Sequence, residues 1–366
     1  MSANVSASDP AGLATAAAIF FGFVGALFVA SRFVPGKREP GVPLTGGARV
    51  TYTLNGFRLF LGVVAATAAV LMLRPSALAA VHAHFWPLFA VANVAAFAAS
   101  IYLAVRGRAA IAGARPGLVG FVVDTFYGAE LNPAMAGVDL KMFSYRPSLM
   151  GLGLLNISFA AAQYHELGYV TTRMWVYQTF YFAYLVNYFQ FEYGMIYTWD
   201  IIAERFGWML VWGDYVLVPF FYSIPGWYLL HDTDPMPAWQ VAALGALYVT
   251  GFVLFRGSNQ QKHQFKADPT RPIWGRTPEA LGGKLLVSGF WGIGRKLNYT
   301  GELCMYLSWS LTTGLHSVIP YLLPLWLAVL FPHRAWRDDQ RCRAKYGELW
   351  EAYCRKARFR MIPFLY

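Results

Sequence analysis

Residues 12–31, GLATAAAIFFGFVGALFVAS, hold no charged side chain in twenty positions. A helix needs roughly 20 mainly apolar residues to cross a bilayer. Similar runs recur at about 54–73, 86–105, 148–165, 172–191, 207–230, 238–255 and 316–331, with a less apolar one at about 300–315. The pattern predicts nine spans, with segment 117–128 as an interfacial or re-entrant tenth element. Composition agrees: 57% of the residues are hydrophobic and 13% charged, against about 25% charged in soluble domains. The expected fold is an all-α, polytopic membrane protein.

The formal charge of +11 is spread over several loops and the tail, so it does not point to nucleic acid. It fits cytoplasmic loops, anionic lipid or an anionic ligand. Arg32, Lys37, Arg38 and Arg49 follow the first span, and the tail is basic. The positive-inside rule then places the C-terminus in the cytoplasm and, for nine spans, the N-terminus outside. The start, MSANVSASDP, has no basic n-region, so the first span is read as the anchor. Cys304, Cys342 and Cys354 form no CxxC and read as free thiols. The seven histidines include no HExxH, so metal catalysis is not indicated.

The chain changes character near residue 116. Before it the spans are rich in Ala, Val and Leu. After it polar groups enter: Asp124, Glu130, Asn132, Asn156, Glu166, Asn187, Glu192, Asp200 and Asp214. Each alone reads as a satisfied structural group; their density argues for an internal polar site. This gives an expected division into N-terminal spans, 1–116, and a region carrying an internal polar site, 117–366, which the resemblance given below implies is the catalytic one.

Three constellations carry chemistry. In GFWGIGRKLNYTGEL (289–303), Arg295, Asn298, Tyr299 and Glu302 share one helical face. The glycines would let a backbone or flat ligand come close. A membrane-edge turn is the plain alternative, and the glycine spacing is not a dinucleotide fingerprint. In HRAWRDDQRCRAKYGELWEAYC (333–354), Arg334 and Asp338 form an i, i+4 pair, with Tyr346 and Tyr353 further on. A phosphate clamp and an ordinary amphipathic tail both remain open. In FRGSNQQKHQFK (255–266), Lys262 and Lys266 stand one turn apart just after a span. A polyanionic cofactor would account for all three clusters, and positive-inside loops would account for the lysines alone.

These stretches, with YGAELNP, DLKMFSYRP and the ending RFRMIPFLY, resemble the sterol reductases of the Δ14 and Δ7 double bonds, a family that includes the lamin B receptor. The resemblance runs from about residue 117 to the end. It implies a polytopic reductase using NADPH, with a C-terminal cofactor pocket next to an intramembrane sterol pocket. It further implies that Lys262, Lys266, Arg334, Asp338 and Tyr346 hold the adenosine and phosphate end. Leu286, Trp291, Asn298, Tyr299 and Tyr353 complete the cofactor pocket, with Trp291, Asn298 and Tyr353 nearer the nicotinamide. Tyr184 matches the tyrosine proposed to give a proton to the sterol, with Asp338 or a water next in line. IWGRTPE, NISFAAAQ and FGWMLVWGD look more like the Δ7 branch, the 7-dehydrocholesterol reductases, with Δ14 reduction as the alternative. Lys296 departs from the family's usual His, and Asn187 from a common Asp.

An isolated alkene resists direct hydride attack, so protonation followed by hydride delivery is the expected route. Glu192, Asp200 and Asp214 are candidates for stabilising charge, and Trp208, Trp212, Tyr215 and Tyr222 for lining the sterol site. Expected partners are a sterol and the bilayer, with no nucleic acid and no metal. The membrane would be the endoplasmic reticulum in a eukaryote or the inner membrane in a bacterium. Rival readings are an isoprenylcysteine-type methyltransferase binding S-adenosylmethionine, a non-catalytic sterol-binding or scaffold protein, and a transporter.

Overall fold

The computed structural model describes residues 5–43, 47–110 and 116–365. The chain divides into two compact units, Met1–Asp232 and Thr233–Tyr366. The packing boundary thus lies far beyond residue 116, where the chemistry of the spans changes.

The first unit opens with α1 (Pro10–Phe33). Asp9 caps it by accepting from the Ala11 and Gly12 amides, and Pro10 loses no helical bond at the first position. A hairpin of β1 (Lys37–Pro43) and β2 (Arg49–Leu54) follows, where sequence suggested only a basic loop. Then come α2 (Gly56–Leu73), α3 (Pro75–Ala83), α4 (Phe85–Ala110) and α5 (Gly117–Tyr127). With its eleven residues α5 is too short to span a bilayer. A small pair, β3 (Ala134–Met135) and β4 (Val138–Asp139), leads into α6 (Leu140–Leu167) and α7 (Thr172–Gln190). Helix α6 begins eight residues before the expected span. Asp139 caps it by accepting from the Met142 amide at 2.7 Å, and the polar side chains of LKMFSYR are buried inside protein.

Residues 207–230 do not form the single span expected. They hold α9 (Trp208–Trp212), a π-helical stretch (Gly213–Phe221), α10 (Ile224–Tyr228) and a 3₁₀ turn, after the short α8 (Trp199–Ile202). Pro219 and Pro225 withhold the amides that a continuous α-helix needs.

The second unit holds α11 (Ala238–Ala267), the short pair β5 (Ala280–Leu281) and β6 (Leu285–Leu286), α12 (Phe290–Ile293), α13 (Leu297–Leu311), α14 (Leu322–Tyr346) and α15 (Glu348–Lys356). The span expected at 316–331 starts late, at Leu322, and its helix continues to Tyr346. Helices α11 and α13 meet closely: a Cβ on Gly301 would stand 2.4 Å from the Gly251 carbonyl oxygen. That approach explains one of the glycines of 289–303.

Among the described residues, α1, α2, α4 and α11 are long and apolar enough by themselves to cross a membrane. The other expected spans are helical but shorter, broken or more polar, as suits helices covered by protein. The molecule is an all-α polytopic membrane protein with three two-stranded pairs as trim.

Candidate functional site

In the first unit, the polar groups that interrupt the apolar helices mostly hold one another. Glu192, expected near substrate, is fully engaged. Its Oε1 accepts from the Tyr145 hydroxyl at 2.6 Å and from Arg146 Nε and Nη2 at 2.9 and 2.7 Å. Its Oε2 accepts from the Gly56 amide at 2.8 Å, at the positive end of α2. Arg146 also donates to the Thr53 carbonyl and to Ser31. Through Arg146 this carboxylate joins α1, β2, α2 and α6, and four donors already claim it. Lys141 is likewise structural, donating to the carbonyls of Ile201 and Glu204 at 2.9 and 2.7 Å.

Tyr184 is buried on α7, its ring 4.6 Å from that of Tyr188. On the same helix Tyr177 donates to Asn156 at 2.9 Å, and Tyr181 donates to the Tyr222 carbonyl. Tyr222 thus serves that bond through its backbone. Trp208 stacks on Phe126 and on Trp212, both at 5.4 Å, and the Trp212 indole donates to Asn93. Tyr215 meets the Ser144 hydroxyl at 3.1 Å. Asp214 lies on the π-helical stretch and Asp200 on α8. One crevice in this unit, lined by Thr67, Asn156, Gln178 and Tyr181 among others, encloses about 30 Å³. That is room for a water, far below the several hundred Å³ of a ligand pocket.

The second unit is built differently. The Trp291 indole donates to the Ser258 carbonyl at 2.8 Å, which fixes its ring. The Lys262 ammonium lies 4.5 Å from that ring's centre. Leu286 and Trp291 are buried together with Phe265 and Ile273, so two expected cofactor residues share one core. Lys266 stands one turn beyond Lys262, and both are exposed. Neither has an ion-pair partner among the described residues.

Lys296 is buried at the foot of α13 and pairs with Asp338 of α14. Burial opposes both charges. Even so, Lys296 holds the Asp338 carboxyl below its usual range, and Asp338 holds the Lys296 ammonium above its own. Arg341 adds to the positive potential at Asp338, and Arg334 does so at Tyr299, whose ring stacks on Phe331 at 4.9 Å. Asn298 donates to Asn259 at 3.4 Å, and its own carbonyl oxygen has no partner. The Ser258 hydroxyl is buried and unpartnered as well. Groups of this kind await a polar ligand or a water.

Tyr346 is half-buried under the Lys345 ammonium at the end of α14. The helix stops at Gly347, so Tyr353 does not continue its face but lies on α15. It is buried, and its hydroxyl donates to the Trp291 carbonyl at 3.3 Å. It supports the segment carrying Trp291 from behind. Cys342 lies 4.0 Å from Asp338, and all three cysteines are free.

Arg295 departs from the shared face read from the sequence, because α13 begins two residues after it. It donates to the carbonyls of Ala357 and Arg358 and pairs with Asp339, which also binds Arg360. Its amide bonds to Phe359. The opening half of 289–303 therefore ties down the C-terminal tail, while Trp291, Lys296 and Asn298 face the cationic cluster. No short-range signal reveals partners some sixty positions away. Among the described residues, no group of three or more His, Cys, Asp and Glu could hold a metal ion.

A helical membrane chain with a C-terminal cluster of cations defines a class, and comparison with known proteins places it within a family. The chain belongs to the ergosterol biosynthesis ERG4/ERG24 family, whose model matches residues 11–366. It is 38% identical over 344 residues to a Delta(14)-sterol reductase of Arabidopsis thaliana, covering 93% of each chain. It is 38% identical to a Delta(14)-sterol reductase of Methylotuvimicrobium alcaliphilum, covering 91% of this chain and 79% of that one. A Delta(14)-sterol reductase of Dictyostelium discoideum is 35% identical, covering 96% and 78%. These names favour the Δ14 alternative over the Δ7 reading taken from IWGRTPE, NISFAAAQ and FGWMLVWGD.

Proposed function

We propose that this protein reduces the Δ14 double bond of a sterol, using NADPH. The observation that carries the reading is the similarity, over nearly the whole chain, to relatives named Delta(14)-sterol reductase. The cation cluster supports the cofactor. Lys262 and Lys266 make no ion pair within 4 Å among the described residues, although Lys262 lies in the field of Asp338, and Arg334 follows on α14. The partnerless Ser258 hydroxyl and Asn298 carbonyl supply neutral hydrogen bonds. These residues fit a dinucleotide: the cations would hold phosphates, the half-buried Tyr346 would offer a ring edge, and Trp291 would hold Lys262 in place from within the core.

When bound, NADPH supplies a hydride. The protein must supply the proton and keep water out. In an 8,14-diene, a proton added to one carbon of the Δ14 bond leaves positive charge on the other, delocalised into the adjacent double bond. Hydride addition there completes the reduction. Tyr184 is assigned as proton donor, since a phenol buried among aromatic side chains can hold a proton and give it up. Trp208, Trp212 and Tyr215 are assigned to the sterol side, with Asp200 and Asp214 as electrostatic support. Glu192 is left out because it is committed to Arg146, Tyr145 and Gly56. The basic C-terminal unit is assigned to the cytoplasmic side, where NADPH is available.

The test is to incubate purified protein and NADPH with Δ8,14 and 5,7-diene sterols and analyse products by mass spectrometry. Reduction of the Δ8,14 sterol is expected, with label from NADPH on one carbon and from solvent on its neighbour. Reduction of the 5,7-diene alone would restore the Δ7 reading. Reduction of neither would remove the enzymatic one.

A further inference from the structure

Trp274 stands in a backbone conformation that large side chains avoid. Its φ is +51°, and Gly275 after it has φ +76°. The amides of Ile273 and Arg276 bond to each other's carbonyls at 2.9 and 3.1 Å, closing a two-residue turn. Positive φ at both central positions is the geometry that favours Asn-Gly or Gly-Gly. A bulky residue at the first position is a true outlier. Any small polar residue would close this turn with less strain, so the indole has been retained against local preference.

The surroundings say what the ring is for. Ile273 is buried against Trp291, Leu286 and Phe265, which ties the turn to that core. Trp274 points outward and is 61% exposed. It touches Phe290 edge to face, with centroids 5.0 Å apart, which leaves a broad ring face open. Phe290 precedes Trp291, whose ring carries the Lys262 ammonium. Arg271 and Arg276 flank the turn and are exposed; Arg271 lies in the field of the exposed Asp268 carboxylate, and Arg276 makes no ion pair within 4 Å among the described residues. An exposed indole between two solvent-facing guanidinium groups, next to a cluster of cations, matches a flat heteroaromatic ring that carries phosphate.

We propose that Trp274 is the stacking platform for the adenine ring of the dinucleotide, with Arg271 and Arg276 on its phosphate side. The inference rests on the NADPH reading above. Trp274 is a binding residue on this account and takes no part in the chemical step.

The test uses full-length protein in detergent and isothermal titration calorimetry, with adenosine 2′,5′-bisphosphate and nicotinamide mononucleotide as separate probes. Trp274→Asn removes the ring and accepts positive φ. It is expected to weaken the bisphosphate on the order of 10-fold, as loss of one aromatic–base stack does. Nicotinamide mononucleotide affinity should stay within about twofold, and the Tm should hold or rise because backbone strain is relieved. Trp274→Tyr keeps a ring and should retain most of the affinity. Unchanged bisphosphate affinity in Trp274→Asn overturns the inference alone. Equal weakening of both probes also overturns it, since that reports a general disturbance. So does a variant that loses only binding to phosphatidylglycerol vesicles, which would make the indole a membrane anchor. Wild-type protein that binds neither probe overturns the cofactor reading and this inference together.

Discussion

In residues 1–232, thirteen Lys and Arg stand against eleven Asp and Glu; in residues 233–366, seventeen stand against eight. The first unit pairs its internal cations: Arg146 with Glu192, Arg108 with Asp124, Arg106 with Glu130 and Arg173 with Asp232. The second commits its acids to Lys296, Arg295, Arg360 and Lys356 and leaves Lys262 and Lys266 over. Charge buried at membrane depth must be paired to be tolerated. Surplus charge outside the bilayer costs little and can wait for a ligand. The difference separates charges paired within the fold from charges that have no ion-pair partner among the described residues.

The most severe way to break the comparison is on the neutral side of the first unit. With Glu130, Asp124, Glu192 and Asp232 held in ion pairs, a neutral phenol is the donor to test first. Tyr184→Phe keeps the ring and removes that proton. We expect kcat to fall by roughly 10²–10⁴-fold, the usual contribution of a positioned acid. NADPH affinity, measured by direct titration, should be retained. Near-normal turnover would move the role to Asp338 or a water.

Next comes the paired side itself. Arg146→Met leaves Glu192 buried without its main partner. Breaking a buried pair from one side costs about 3–5 kcal/mol. Thermal unfolding in detergent should show a Tm lowered by many degrees, and the double variant Arg146→Met, Glu192→Gln should recover part of the loss. A single variant as stable as wild type would mean that the pair does not hold these helices.

The surplus side gives a smaller effect. Lys262→Ala or Arg334→Ala should raise the KM for NADPH far more than that for NADH, because a ribose phosphate adds up to two negative charges. A lost charged hydrogen bond costs about 1.5–3 kcal/mol, or roughly 10- to 150-fold. Equal effects on both nucleotides would show that these cations do not read the phosphate.

How much of this was legible depends on the range of the forces involved. Helices α1, α2, α4 and α11 follow directly from apolar runs, since a helix alone in lipid must satisfy itself. The break at 207–230 was masked by its hydropathy, although Pro219 and Pro225 stood in plain view. The early start of α6 was hidden because LKMFSYR looks like a loop until protein surrounds it. In the candidate site, Lys262, Lys266 and Trp291 could be found from local spacing and the resemblance. The commitment of Glu192 to Arg146, Tyr145 and Gly56 could not, since those partners lie 46, 47 and 136 positions away. Nor could the link from Lys296 to Asp338, 42 positions apart.

That last link gives the gentlest way to sharpen the comparison, because it pairs a buried lysine with a partly buried carboxylate inside the cationic cluster. Asp338 has its folded pKa lowered, so its stabilising effect is present above the ordinary carboxylate value, about 3.9, and is lost as pH falls through the lower folded value. Lys296 has its folded pKa raised, so its effect is present below about 10.4 and is lost as pH rises through the higher one. Between about pH 5.5 and 9 the pair should contribute a constant amount, and the wild-type Tm should show no slope from it. Lys296→Met removes the partner and leaves burial to act on Asp338, which pushes its pKa up. The variant should then gain stability, relative to wild type, as pH falls through the raised folded value, by about 1.4 kcal/mol for every tenfold fall in the acidity of the folded carboxyl. Parallel Tm profiles for the two proteins would show that Lys262 and Arg341 alone keep Asp338 ionised, and that Lys296 belongs with the surplus cations rather than with the paired ones.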